Sequence, residues 1–86
     1  MATVVIYTTN YCSFCVRAKA LLRSKNVNFE EIDVTNDERQ QEEMKRKSGR
    51  KTVPQIFIDG KSVGGFDEIK QLDVAGELDR ILGIGT

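Results

Sequence analysis

The sequence of 86 residues contains no histidine and no tryptophan, one proline and only two cysteines. Without histidine or a second cysteine pair, the chain lacks the roughly four nitrogen and sulfur ligands that a zinc site needs. Basic and acidic residues number 13 each, so no net charge favours nucleic acid or an anionic membrane. No apolar run approaches the roughly 20 residues that span a bilayer. We therefore expect no metal held by a single chain, no nucleic-acid partner and no membrane partner.

The length of the chain predicts one domain, residues 1–86, with a core just large enough to fold alone. The segment Met1–Ile6 lacks the basic residues that open a signal peptide and continues into a predicted strand. A cytoplasmic location is therefore expected, and a permanent structural disulfide would be unusual there.

Hydrophobic periodicity and turn residues predict an α/β protein with a four-stranded mixed sheet flanked by helices. A strand, a helix and a strand in close succession imply a crossover between parallel strands, and Asp-Gly between two apolar runs predicts a hairpin. The element order is βαβαββα plus a short C-terminal helix. The predicted bounds are strands 3–8, 28–34, 55–58 and 61–63, and helices 13–25, 37–48, 66–74 and from 77 onward.

Two local details are also predicted. In the first helix Val16, Ala20 and Leu21 mark one side, and Ala18 and Leu22 adjoin it. The segment Thr35–Glu38 has the form of a capping box at the start of the second helix.

The two cysteines, Cys12 and Cys15, form a Cys-x-x-Cys motif between a predicted strand and a predicted helix. This position favours a redox-active thiol pair over its alternatives, which are small buried hydrophobes or half of a metal site. Free N–H groups and the positive end of the helix dipole favour a thiolate at Cys12. Cys12 is therefore predicted to be the exposed nucleophile. Cys15, one turn further along, is predicted to be the shielded resolving thiol.

Two further segments are compatible with binding an extended peptide. Pro54 is either a simple strand-entry proline or a cis residue that turns the Val53 backbone groups toward a ligand. Gly64 and Gly65 precede a helix whose first N–H groups can hold a carboxylate. Asp67 is either a capping acid or a partner for an ammonium group. The residues alone do not separate these alternatives.

Together these segments match one family in order and spacing. The sequence resembles the glutaredoxins, the small glutathione-dependent members of the thioredoxin fold, over nearly the whole chain. The resemblance implies a single glutaredoxin domain with that fold. The segments that carry it are Val5–Thr8, Cys12-Ser13-Phe14-Cys15, Arg17–Leu22, Ser48-Gly49-Arg50, Thr52–Ile58, Gly64-Gly65-Phe66-Asp67 and Leu72.

The resemblance implies that Cys12 forms a mixed disulfide with the co-substrate glutathione and that Cys15 resolves it. The backbone of Val53 would pair with the cysteinyl part of glutathione. The side chain of Asp67 would hold the γ-glutamyl amino group, and the N–H groups at the helix start its carboxylate. The glutathione-binding residues implied in this way are Phe14, Thr52, Val53, a cis Pro54, Gly65, Phe66 and Asp67, with Gln41 and Arg50 as weaker candidates for the glycine carboxylate.

Three positions depart from the family pattern. Thr9 stands where many members carry a lysine that stabilises the thiolate and holds glutathione. Ser13-Phe14 replaces the usual Pro-Tyr between the cysteines and is expected to change the redox potential. Phe66 replaces a second cysteine that is often found after the two glycines.

The resemblance therefore implies a dithiol glutaredoxin that reduces protein disulfides and glutathione mixed disulfides, with Cys12 resolved by Cys15 or by glutathione. A monomer is expected, with disulfide-containing or glutathionylated proteins as partners. The alternative is a homodimer that holds a [2Fe–2S] cluster on Cys12 and glutathione from each subunit, which Ser13 favours. A second alternative is an electron donor recharged by thioredoxin reductase.

Overall fold

The computed structural model describes residues 2–84 and has the predicted element order. The strand and helix types all agree with the sequence prediction, and the largest difference is that the second strand is shorter. No helix within these residues is long and apolar enough to cross a membrane. The elements are β1 Val4–Thr8, α1 Ser13–Ser24, β2 Glu30–Asp33, α2 Glu38–Ser48, β3 Gln55–Ile58, β4 Lys61–Gly64, α3 Phe66–Val74 and α4 Glu77–Leu82.

The four strands form one mixed sheet in the order β2-β1-β3-β4. Strand β1 pairs parallel with β2 and antiparallel with β3, and β3 pairs antiparallel with β4. Tyr7 near the end of β1 lies opposite Gln55 at the start of β3, and Gly64 at the end of β4 lies opposite Ile56. The end of β1, the start of β3 and the end of β4 therefore meet at one edge of the sheet.

Side-chain alternation along β1 divides the core between the two faces of the sheet. Val4 and Ile6 pack with buried residues of α1, α3 and α4 on one face. Tyr7 packs with Met44 of α2 on the other face and meets the Phe57 ring edge-on, with ring centroids 5.6 Å apart. The sheet is thus covered by three helices on one side and by α2 on the other.

The buried face of α1 differs from the predicted one. Cys15, Ala18 and Leu22 are buried, whereas Val16 and Ala20 are exposed. The prediction failed because it left Cys15 out of the apolar stripe. Cysteine packs as a small hydrophobe, and the spacing of three and then four residues from Cys15 defines the inner face.

The start of α2 also differs in detail. Asp37 is the N-cap, and its carboxylate accepts the N–H of Gln40 at 3.0 Å. The predicted capping box from Thr35 is wrong, because the Thr35 hydroxyl donates to Asp33. The predicted stop at Gly49 is confirmed, with φ of 74° in the left-handed region that suits glycine.

Candidate active site

Cys12 is the N-cap residue of α1, directly beyond the edge of the sheet where β1 ends. Its Sγ accepts the backbone N–H of Cys15 at 3.1 Å, in the place that a serine or aspartate oxygen takes in an ordinary N-cap. This hydrogen bond holds the sulfur of Cys12 against the start of α1.

The two thiols differ in accessibility, in the predicted direction. Both cysteines are free; Cys12 is partly exposed, and Cys15 is only 1% exposed. Burial raises the pKa of Cys15 to about 12, and a side-chain hydrogen bond with Cys12 acts in the same direction. A hydrogen bond with the Thr9 backbone and the charge of Lys19 oppose this shift. Cys15 thus stays protonated at neutral pH while Cys12 faces solvent.

Lys19 lies one helical turn after Cys15 and pairs with Glu31 of β2, which also accepts a hydrogen bond from Thr8 of β1. Its Nζ is 2.9 Å from Glu31 of β2, and the buried Thr8 hydroxyl donates to the same Glu31 oxygen at 2.7 Å. These hydrogen bonds, the one from Lys19 first, lower the pKa of Glu31. The strands thereby fix a positive charge close to the buried thiol.

A groove runs beside Cys12 and brings together the segments before β3 and after β4. The Cys12 Sγ lies 3.6 Å from the Val53 carbonyl oxygen, and the Val53–Pro54 peptide bond is cis. Of the two interpretations of Pro54, the cis one is found. The groove has a volume of about 190 Å³, below the usual range for pockets that enclose a ligand, so a ligand would lie partly in solvent. Its lining is Phe14, Arg50, Thr52, Val53, Pro54, Gln55, Gly65, Phe66, Asp67 and Glu68.

All seven residues predicted to bind glutathione thus line this groove, including the first turn of α3. The N–H groups of Phe66 and Asp67 have no hydrogen-bond acceptor among residues 2–84. The start of a helix with free N–H groups favours a carboxylate at this end of the groove.

Glu68 is a further residue of the groove, and it was not among the predicted site residues. Its Oε1 accepts the Gly65 N–H at 2.6 Å and lies 3.3 Å from Nη1 of Arg50. The hydrogen bond from Gly65, with the charge of Arg50, lowers the pKa of the Glu68 carboxyl group. The signal was available, because a glutamate three residues after an N-cap often bonds back to the N-cap N–H.

The two glycines before α3 are required by the closeness of their neighbours. Gly64 has a φ of +105°, and a Cβ there would lie 2.7 Å from Cγ of Glu68. A Cβ on Gly65 would lie 3.1 Å from the carbonyl oxygen of Pro54. The glycines therefore let α3 begin close against the Val53–Pro54 segment.

Phe14 and Phe66 form the apolar wall of the groove. Their ring centroids are 6.3 Å apart, and the Arg17 guanidinium lies 5.6 Å from the Phe14 centroid. Phe14 is still 50% exposed, so its ring is available to a ligand or a partner.

A second pocket shares Thr52 and Val53 with the groove, and Lys45, Lys51 and Glu42 are among its lining residues. Gln41 also lines it, but its Nε2 donates to the Val34 carbonyl at 2.6 Å. The structure thus separates the two weaker candidates for a carboxylate: Arg50 lies in the groove, and Gln41 lies in this pocket with its amide already engaged. Lys45 and Lys51 were not among the predicted site residues.

Within residues 2–84 no three side chains of His, Cys, Asp or Glu come together in a way that could hold a metal ion. Cys12 is the accessible thiol of the chain, and Cys15 lies beneath it. A four-sulfur cluster on this protein would therefore need a second chain and further thiolates from outside.

Comparisons with known proteins by family model, by sequence and by structure all match this chain to glutaredoxins. The family model named Glutaredoxin matches residues 4–63. Glutaredoxin 3 of Escherichia coli strain K12 is 51% identical over 82 residues, which cover 95% of this chain and 99% of that protein.

Two solved structures are similar over nearly the whole fold. The solution structure of a glutaredoxin from Brucella melitensis has a TM-score of 0.86 at 45% identity, covering 100% of this chain and 94% of the other. A buckwheat glutaredoxin–glutathione complex has a TM-score of 0.88 at 27% identity. The match covers 95% of this chain and 77% of the buckwheat chain. The four-stranded mixed sheet with its flanking helices is therefore a thioredoxin fold, and the chain belongs to the glutaredoxin family of thiol-disulfide oxidoreductases.

Proposed function

We propose that this protein is a glutathione-dependent oxidoreductase that reduces protein disulfides and glutathione mixed disulfides. One observation carries the proposal: the sulfur of Cys12 lies 3.6 Å from the carbonyl oxygen of Val53, a residue that lines both the groove and the second pocket. A ligand bonded to Cys12 would lie along Val53 with one end in each. The structurally similar buckwheat protein was solved as a glutathione complex, which supports this choice of ligand.

The charges at the two ends suit the chemistry of glutathione, a tripeptide with a central thiol. Its γ-glutamyl end carries both a carboxylate and an ammonium group. The groove offers the free N–H groups of Phe66 and Asp67 to the former and the Asp67 carboxylate to the latter. Its glycine end carries a second carboxylate, and the pocket beyond Val53 offers the cations of Lys45 and Lys51. Thr52 and Pro54 frame the central part, and Phe14 and Gly65 lie beside it.

In the dithiol route the Cys12 thiolate attacks one sulfur of a protein disulfide. A bond forms between Cys12 and that sulfur, the disulfide bond breaks, and the other sulfur leaves as a thiolate that takes up a proton. Cys15 then loses its proton and attacks Cys12. This step forms the Cys12–Cys15 disulfide and releases the second substrate thiolate. Two glutathione molecules reduce the pair again and leave as glutathione disulfide.

In the monothiol route Cys12 attacks the glutathione sulfur of a mixed disulfide. The protein thiolate leaves, Cys12 carries the glutathionyl group, and a second glutathione removes it as glutathione disulfide. Cys15 takes no part. Its burial and its raised pKa of about 12 support this division of labour, because a protonated thiol is a poor competitor of free glutathione.

The proposal includes a single domain, a monomer and a cytoplasmic location. All described elements pack on one sheet, which supports the single domain. A dithiol that donates electrons needs a compartment that keeps it reduced, and the cytoplasm is such a compartment. The iron–sulfur homodimer stays the alternative, with Cys12 as its one protein ligand per chain.

The test is a glutathione-coupled reduction assay that compares the wild type with Cys12→Ser and Cys15→Ser. Cys12→Ser is expected to lower turnover of both substrate classes by roughly a hundredfold or more, since the nucleophile is lost. Cys15→Ser is expected to keep turnover of glutathionylated substrates and to lose turnover of protein disulfides. Full activity in Cys12→Ser would refute the mechanism. Equal activity with thioredoxin reductase in place of glutathione would favour the second alternative, in which thioredoxin reductase recharges this protein.

A further inference from the structure

The segment Thr52–Pro54, which faces Cys12, is held in place by side chains. Within residues 2–84 no backbone–backbone hydrogen bond reaches any of its three residues, and a proline has no N–H to donate. The hydrogen bonds that do reach it run from Cys12 Sγ to the Val53 carbonyl and from the side-chain amide of Gln55 to Thr52. The first needs the proton of Cys12 and is lost when the thiolate forms. Gln55 is therefore the hydrogen-bond anchor that persists through the reaction.

Gln55 is itself held rigidly. It is the first residue of β3, lies opposite Tyr7 of β1 and is only 1% exposed. Its Nε2 donates to the Thr52 carbonyl at 3.0 Å and lies 3.2 Å from the Thr52 hydroxyl oxygen. Because a carbonyl only accepts, the amide of Gln55 must present its nitrogen to Thr52.

This orientation leaves the other end of the amide unsatisfied. Oε1 of Gln55 is buried with no hydrogen-bond partner in the part of the chain that the structure describes. A buried acceptor without a partner lowers stability, and an apolar side chain of similar size, such as methionine, avoids that cost. Thr52 is exposed, so water would hydrate it if the amide were absent. Stability alone therefore does not explain a glutamine at this position.

The geometry of the peptide unit links this anchor to the direction of the Val53 N–H. The Thr52 carbonyl and the Val53 N–H belong to one peptide unit, which is trans. In a trans unit the C=O and the N–H point in opposite directions. Because the carbonyl points toward the buried Gln55 side chain, the N–H points away from it. This N–H has no backbone acceptor among the described residues, and Val53 lines the groove.

We propose that Gln55 is a positioning residue that aims the Val53 N–H at the cysteinyl backbone of glutathione. This inference rests on the proposed function, because the N–H needs a peptide carbonyl beside the reacting sulfur as its acceptor. The consequence is selectivity among thiols. Glutathione has peptide groups next to its thiol and gains from the aimed N–H, whereas 2-mercaptoethanol has none and gains nothing. Gln55 acts through Thr52 and takes no part in the exchange of sulfur.

The experiment measures the adduct of Cys12 with each thiol in a Cys15→Ser parent, which keeps the adduct on Cys12. The Cys12 thiolate attacks one sulfur of glutathione disulfide and forms a mixed disulfide, and the other half leaves as a thiolate that takes up a proton. The same exchange is run with the disulfide of 2-mercaptoethanol. Mass spectrometry after acid quenching gives the two equilibrium constants, and their ratio is the selectivity. Urea unfolding gives the stability of each variant.

The parent is expected to favour glutathione about tenfold or more. Gln55→Met is expected to lower this ratio about three- to tenfold, which is the effect of one hydrogen bond. The constant for 2-mercaptoethanol is expected to stay the same, and stability to stay the same or rise because the unpaired acceptor is removed. Gln71→Met is the matched control, since Gln71 is exposed on α3 outside the groove and is expected to leave the ratio unchanged.

The outcomes separate the inference from the proposed function. If the parent shows no preference for glutathione, the proposed function is wrong and the inference falls with it. If the parent shows the preference and Gln55→Met keeps it, Gln55 does not aim the N–H. If Gln55→Met lowers both constants and the stability together, its role is structural and the proposal is also overturned. A loss of selectivity without a loss of stability supports the proposal.

Discussion

At the scale of single residues, the two thiols of one short motif are given different properties by their surroundings. Cys12 caps a helix and accepts an N–H from Cys15, whereas Cys15 is buried with its pKa raised to about 12. Because only a thiolate attacks sulfur, the resolving step is limited by the loss of a proton from Cys15. Its rate should therefore rise with pH across the neutral and alkaline range.

Lys19 is expected to assist this step as a positioning residue. Its charge lowers the pKa of Cys15, and no other cation does so among the residues that act on this thiol. Lys19→Met is expected to raise the pKa further and to slow the displacement of glutathione from Cys12 by Cys15 roughly two- to threefold, a small effect because Glu31 already pairs with Lys19. Mass spectrometry of the Cys12–glutathione adduct over time, at several pH values, measures the rate.

Two variants test whether charge is the cause. Lys19→Arg is expected to restore the wild-type rate and pH profile. Glu31→Gln removes the counter-ion of Lys19 and is expected to shift the profile to lower pH, opposite to Lys19→Met. Monothiol turnover, which does not use Cys15, should stay the same in all three. A uniform loss of both activities would instead indicate damage to the structure.

At the scale of elements, the junction between β4 and α3 depends on the two glycines. Gly64→Ala is expected to lower the free energy of unfolding by roughly 2 to 4 kcal/mol, because φ is +105° and the new Cβ would lie 2.7 Å from Glu68 Cγ. Urea unfolding followed by circular dichroism measures the loss.

Gly60→Ala provides the matched comparison. Gly60 also has a positive φ, of +80°, but no atom lies within 4 Å of its Cβ position. Gly60→Ala is expected to lower the free energy of unfolding by about 1 kcal/mol, from backbone strain alone. Equal losses in the two variants would show that the approach of Glu68 to Gly64 has no energetic weight.

The elements also show where sequence patterns were sufficient. Asp59-Gly60 between two apolar runs predicted a hairpin, and both residues have the positive φ that such a turn needs. The predicted inner face of α1 was wrong at Val16 and Ala20, which are exposed. An apolar residue on a helix contributes to the core only if the neighbouring elements cover it, and the spacing within α1 shows the covered side only when Cys15 is counted as apolar.

At the scale of the whole molecule, the expected state in solution is a monomer of 9.7 kDa. The radius of gyration over Cα atoms is 12.2 Å, close to the roughly 12 Å of a compact chain of this length. Light scattering after gel filtration, with reduced protein and glutathione present, is expected to give the monomer mass without visible absorbance.

The same measurement after anaerobic addition of iron and sulfide tests the cluster alternative. A mass near twice the monomer with a visible absorbance band, both lost in Cys12→Ser, would establish the iron–sulfur dimer. A colourless monomer under these conditions would count against it.

The sequence by itself determined the element order, the cysteine motif and the family, because turns, strand composition and thiol spacing are local properties. The tertiary structure decided which side chains share the site. Cys12, Val53 and Gly65 are distant in sequence and meet because antiparallel pairing brings the end of β1, the start of β3 and the end of β4 to one edge. Gln41 is engaged with Val34, Arg50 lies 3.3 Å from Glu68 of α3, and Val16 is left exposed beside Cys12. Each of these outcomes depends on contacts between elements, and the order of residues along one element does not contain them.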